Sequence, residues 1–195
     1  MPDERGITRY AVMPIPPVEG QTRFFEADPI VIGVEYRLLD EAIARASETA
    51  RARGEEAGFL EGLDDRGVSL HVYGITAGER REYLRFDCFD EDPHYHYVSW
   101  RARSNEMIHI DPAAEGDPLA WALQRIRTRL PQMLGRAGAE QVARRIDPLR
   151  LEAILPRVAE AAYRARFEHD EAAIRAAALG ASAAVAASGP AGGRP

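Results

Sequence analysis

The sequence predicts an α+β protein: an antiparallel meander of three to four strands over about residues 68–111, packed with helices, then a helical C-terminal half. Three observations carry this. Between Gly67 and Asp111 the runs "VSLHVYG", "EYLRFDCF", "HYHYVSWR" and "EMIHI" are rich in β-branched and aromatic residues, with turn chemistry between them. Asp117-Pro118 and Asp147-Pro148 each open a run with helical apolar spacing. A chain of 195 residues buries about 70% of its unfolded surface and needs no disulfide or metal to fold.

Taken in order, residues 1–27 are rich in Pro, Gly and charge and read as an extended arm over the domain. Residues 28–179 form a single α+β domain. "PIVIGVEYRLL" starts as a strand, Ile30 to Tyr36. Asp40 is placed to cap a helix running to about Arg53. In the meander, alternation sets Val68, Leu70, Val72, Leu84, Phe86 and Cys88 on one apolar face. Ser69, His71, Tyr73, Tyr83, Arg85 and Asp87 fall on the other. A hairpin through residues 75–81 brings the apolar sets together.

Asp117 and Asp147 are N-caps with proline at the first helical position. Pro131 is expected to kink or divide the first of these helices, and Pro156 to start a last one. Gly180 reads as a stop, and residues 180–195 as a low-complexity, disordered tail.

All 25 basic residues are arginine, and the net charge is −6. Met1 to Asp117 carries 13 Arg against 24 acids, whereas Pro118 to Arg166 carries 10 against 4. The negative total disfavours nucleic-acid binding. The two segments can pair with each other, or Arg125, Arg129, Arg144 and Arg145 can meet an acidic protein partner. Cys88 is the single cysteine, and no run is long and apolar enough for a signal peptide or membrane span. The expectation is a soluble cytoplasmic protein.

One stretch stands out: "FDCFDEDPHYHY", Phe86 to Tyr97. His94 and His96 alternate onto one sheet face. If "DEDP" is a four-residue loop, Phe89 pairs with His94 and Asp87 faces His96, on the face carrying His71 and Arg85. That makes His71, Asp87 and His96 a two-histidine-one-carboxylate set for a divalent transition metal such as iron or zinc, with His94 at its rim. Arg85 would then hold an anionic substrate group. A register slip of one would turn both histidines inward. Solvated polar residues on a sheet face are the plainer reading.

His109 reads as structural and His169 as inert on a solvated helix. Cys88, among apolar neighbours, reads as a buried, unreactive thiol. No nucleophile elbow, phosphate loop, dinucleotide fingerprint or calcium loop is present. The sequence therefore leaves two functional classes. The first is a small binding or accessory protein acting with a larger partner. The alternative is a metal-dependent enzyme built on the polar face of the meander.

Overall fold

The computed structural model describes residues 6–46 and 62–187. One antiparallel sheet is formed by β1 (Ile7–Tyr10), β2 (Arg23–Ala27), β3 (Ile30–Asp40), β4 (Asp64–Thr76), β5 (Glu79–Phe89), β6 (His94–Ser99) and β7 (Ser104–His109). Strands β2 to β7 are neighbours in chain order, and β1 lies at the far edge beside β7.

The meander of three to four strands is therefore corrected to a sheet of seven. Residues 1–27 supply both edge strands, and the strand predicted to end at Tyr36 continues to Asp40. The reason is non-local. β1 has only four residues and is held by pairing Ile7 with Ile108 and Tyr10 with Asn105, about a hundred positions away. No local pattern reports such a pairing. Long β3 carries consecutive apolar residues because both of its faces are buried.

The β4–β5 hairpin closes through Ala77 and Gly78, both with positive φ (53° and 81°), the geometry a two-residue turn between twisted strands demands. Its register pairs Val68 with Cys88, Leu70 with Phe86 and Val72 with Leu84. A bulge follows at Val72/Tyr73, so that Tyr73 faces Glu82. Tyr83 is therefore displaced from the polar face and joins the apolar core, while Glu82 takes its place beside Arg85.

Helices α1 (Glu41–Ala46), α2 (Pro112–Glu115), α3 (Pro118–Arg136), α4 (Glu140–Ala143), α5 (Pro148–Phe167) and α6 (Glu171–Ala187) accompany the sheet. Asp40 caps α1 through Ile43 N–H at 2.9 Å; the remainder of the helix predicted to Arg53 lies outside the described residues. Asp117 caps α3 through Ala120 N–H, and Asp147 caps α5 through Leu149 N–H. α3 packs against β5, and α5 against β2, β3 and β4. Leu119, Ile126, Leu130, Leu134 and Val158 are completely or almost completely buried there, with Leu70, Leu84 and Phe86.

Pro131 and Pro156 lie inside continuous α3 and α5 rather than dividing them. Each lost hydrogen bond is offset by the burial of the stripe on either side. Gly180 likewise lies inside α6, which runs to Ala187; flanking alanines counter a glycine cost of about 1 kcal/mol. The rest of the predicted tail lies outside the described residues. Among the described residues no helix is long and apolar enough to cross a membrane.

The second sheet face is polar yet almost inaccessible. Glu35, Arg37, Ser69, His71, Glu82, Arg85, Asp87, His94, His96 and Asn105 are all buried. A strap of residues 11–18 crosses above them. It is tied by Asn105 Nδ2 to Val12 O (2.8 Å), Arg85 Nη1 to Ile15 O (2.7 Å) and Val18 N–H to Glu35 Oε1 (3.0 Å). Burying unpaired polar groups costs several kcal/mol each, so a face this polar must be internally satisfied or serve a purpose.

Candidate metal centre

The site begins with a loop. Asp65 in β4 accepts hydrogen bonds from Glu91 N–H (3.1 Å) and Asp92 N–H (2.9 Å), which pins "DEDP" and fixes where β6 starts. β6 then pairs His94 with Asp87 and His96 with Arg85. The register is two residues from the expected one, which had Phe89 opposite His94. A shift of two leaves every side chain on its face, so His94, His96 and Asp87 still converge.

Both imidazoles are held by their Nδ1 atoms. His94 Nδ1–H donates to the Asp92 carbonyl at 2.6 Å. His96 Nδ1–H donates to Asn105 Oδ1 at 3.0 Å. The Asn105 amide is oriented by its Nδ2 bond to Val12 O; the reverse orientation would set two carbonyl oxygens against each other. In a neutral ring with Nδ1–H committed, Nε2 carries a lone pair. His94 Nε2 and His96 Nε2 lie 3.4 and 3.3 Å from Asp87 Oδ2, while Asp87 Oδ1 accepts from Ser69 Oγ.

Three electron-pair donors thus lie together, all within 4.8 Å of one another. Two ligands at ~2.1 Å from a tetrahedral metal stand ~3.4 Å apart, the spacing found between each Nε2 and the carboxylate. Second partners that fix ring tautomer and direction are the usual companions of histidine ligands. Asp92, Asn105 and Ser69 fill those places.

Without a cation, protons must relieve the contact. Burial favours neutral His94, but hydrogen bonding to Asp87 and the Asp87 charge outweigh it and raise its pKa. For His96 burial dominates, and the neighbouring His94 and Arg85 charges add to it, so its pKa is lowered. Burial also works against an ionised Asp87, yet its bonds to His94 and His96 and the Arg85 charge hold it well below the ordinary carboxylate range.

His71, predicted as a ligand, is not part of this group. It lies deeper, between Glu82 (Nδ1 to Oε1, 2.6 Å) and Glu35 (Nε2 to Oε2, 3.2 Å). Burial alone would strip its proton; the Glu82 charge and the bonds to Glu35 and Glu82 overcome this and raise its pKa. The histidine that stands with His96 beside Asp87 is instead His94, the predicted rim residue. The β5–β6 register explains the exchange: the shift of two sets His94 opposite Asp87 and His96 opposite Arg85, while His71 stays on the far side of Arg85 in β4.

Arg85, predicted to hold a substrate anion, is committed within the protein. Its Nε and Nη2 donate to Glu82 at 2.9 and 2.8 Å, and Nη1 donates to Ile15 O. Glu82 itself was invisible to alternation, because only the bulge turns it to this face. Glu35 is likewise hidden in the sequence, where "PIVIGVEYRLL" reads as an apolar strand. Its alternation with Gly33 and Arg37 is the one local signal that could have found it.

The centre opens onto a cavity of about 390 Å³, bounded by the strap, α1 and the β6–β7 end of the sheet, within the size range of small-molecule pockets. Arg37, Leu39, Phe89 and Met107 line it, and His109, whose Nδ1 donates to Asp92 Oδ1 at 2.6 Å, lies at its edge. His169 is remote, stacked on Tyr36 at 3.7 Å between ring centres. Cys88 is partly buried and contacts Pro118 O; burial, with the Asp87 and Asp117 charges, pushes its pKa well up.

The arginines assigned to a partner are dispersed. Arg125 lies over Trp121 and near Glu115, and Arg145 lies 3.8 Å from Asp28. Arg129 and Arg144 are exposed. Arg136 pairs with Glu106 and Arg166 with Asp117, so part of the charge segregation is matched inside the molecule.

No curated protein and no solved structure matches the chain. A family model, described as a domain of unknown function (DUF7700), matches residues 24–162, a span that contains Asp87, His94, His96 and Asn105. The chain belongs to that family.

Proposed function

We propose that this protein is a metal-dependent enzyme whose divalent cation is held by His94, His96 and Asp87 and whose substrate is a small molecule enclosed beneath the strap. The observation that carries the reading is the mutual approach of the three donor atoms while both Nδ1–H groups are committed elsewhere. Two imidazoles and one carboxylate suit zinc or iron(II), and three protein ligands leave coordination positions free. A cation there would supply Lewis-acid activation of an oxygen ligand. The protein's part is to fix both rings through Asp92 and Asn105, keep Asp87 ionised and exclude bulk water with the strap.

The reading is tested by the metal content of untagged protein purified without chelator, alongside His96→Ala and His71→Gln. One equivalent of zinc or iron in the parent and in His71→Gln, and none in His96→Ala, is expected. An equal metal content in parent and His96→Ala overturns it.

A further inference from the structure

Arg37 is a buried cation that the metal centre does not use. It is 8% exposed, on β3 opposite Gly67 of β4, and lines the same cavity as the three donor residues. A guanidinium carries five N–H donors. Among the described residues, its hydrogen bond is from Nη2 to Ile15 O at a long 3.3 Å, and its ion pair with Glu35 is stretched to 3.7 Å. Arg85, the other arginine on the cavity wall, is by contrast matched on two sides by Glu82.

The charge balance points the same way. A divalent cation with two neutral imidazoles and one carboxylate carries a net single positive charge. A buried positive charge without a counter-ion is unfavourable, and so is a buried guanidinium with unmet donors. Much of the remaining wall is of another kind: Tyr10, Pro14, Leu39, Leu63, Phe89 and Met107 present mainly carbon to the same space, beside Asp65 and Asp92, whose carboxylates already accept hydrogen bonds within the protein.

We infer that the cavity takes a small organic acid, with its anionic oxygen group drawn by Arg37 and the cation at Asp87, His94 and His96, and its apolar body against Leu39, Phe89 and Met107. The inference rests on the metal-centre reading for the cation and on Arg37 independently of it.

The test is calorimetric titration of metal-free and cobalt(II)-loaded protein with acetate, butanoate, hexanoate, hexanol and hexylammonium, following the cobalt visible spectrum in parallel. Affinity is expected to rise roughly fourfold per added methylene, the equivalent of ~0.8 kcal/mol per buried CH₂. Hexanoate should bind more tightly to the loaded protein and change the cobalt spectrum; hexanol and hexylammonium should bind at least tenfold more weakly. Arg37→Gln should lower hexanoate affinity by about tenfold or more while leaving cobalt binding intact.

Cobalt binding with alkanoate affinity that is flat in chain length, or unaltered by Arg37→Gln, overturns the inference and leaves the metal centre standing. Failure of cobalt to bind, with hexanoate still bound in an Arg37-dependent manner, overturns the metal centre and sustains the organic-acid site. Failure of both overturns both.

Discussion

Replacing Glu82 by alanine isolates what the buried polar layer contributes to stability. Its carboxylate accepts three charge-assisted hydrogen bonds, from His71 Nδ1 at 2.6 Å and from Arg85 Nε and Nη2 at 2.9 and 2.8 Å. Arg85 is 2% exposed and His71 0%, so neither can turn to water once its partner is gone. Breaking a buried pair from one side costs about 3–5 kcal/mol, because a charge is left uncompensated. Against a total stability on the order of 5–15 kcal/mol, that is a large fraction. With a urea slope of roughly 2 kcal/mol per molar, the midpoint should fall by about 2 M. Glu82→Gln, of the same shape but neutral, should fall between the two. Equilibrium urea unfolding followed by far-ultraviolet circular dichroism provides the measurement. A loss below about 1 kcal/mol for Glu82→Ala would refute the reasoning, because it would require Arg85 to be solvated and His71 to be solvated or neutral in the native protein.

Asn105→Ala should lower metal affinity about 10–100-fold with the fold retained, because it frees the His96 ring and one strap tie together; unchanged affinity in a cobalt titration would refute its orienting role. Gly67→Ala should destabilise by roughly 1–3 kcal/mol: φ is +154° and the new Cβ would stand 2.5 Å from Cys88 O, a backbone atom that cannot yield cheaply. An unshifted melting temperature would contradict that contact. In metal-free protein, Asp87 and Glu82 have lowered folded pKa values. Their stabilisation is present above the unfolded carboxylate range near 4 and lost as pH falls through the folded values. His71 and His94 have raised values, so theirs is full below about 6.5 and lost as pH rises through the folded values. His96 acts in the opposite sense, alone against two. The urea midpoint should therefore fall on both sides of a mildly acidic optimum; a midpoint rising steadily from pH 6 to 9 would refute the assignment.

Much of the centre was legible because strand alternation is robust to the commonest error. Alternation along "DCFDEDPHYH" keeps Asp87, His94 and His96 on one face both in the expected register and in the observed one, two residues away. That His94 rather than His71 stands with Asp87 and His96 is less legible, because cross-strand register depends on how Asp65 pins the 90–93 loop, a contact between distant residues. The bulge at Tyr83 hides Glu82, the partner to which Arg85 Nε and Nη2 donate. The edge strands β1 and β2 are short and were absorbed into an arm, since their stability comes from neighbours far away in sequence. The aspartate caps at 117 and 147 were read correctly, as they need only three adjacent residues. Composition allows the basic helices either to pair with the acidic segment or to meet a partner, and pairs such as Arg136 with Glu106 become visible only once the chain is folded.

The central claim is that one cation sits between His94, His96 and Asp87, and anomalous diffraction tests it most directly. Crystals of zinc-loaded protein, measured above and below the zinc absorption edge, should give a single strong peak about 2.0–2.2 Å from the Nε2 atoms of both histidines and Asp87 Oδ2. A peak at the Asp92–His109 pair instead, or none at full zinc loading, would contradict it.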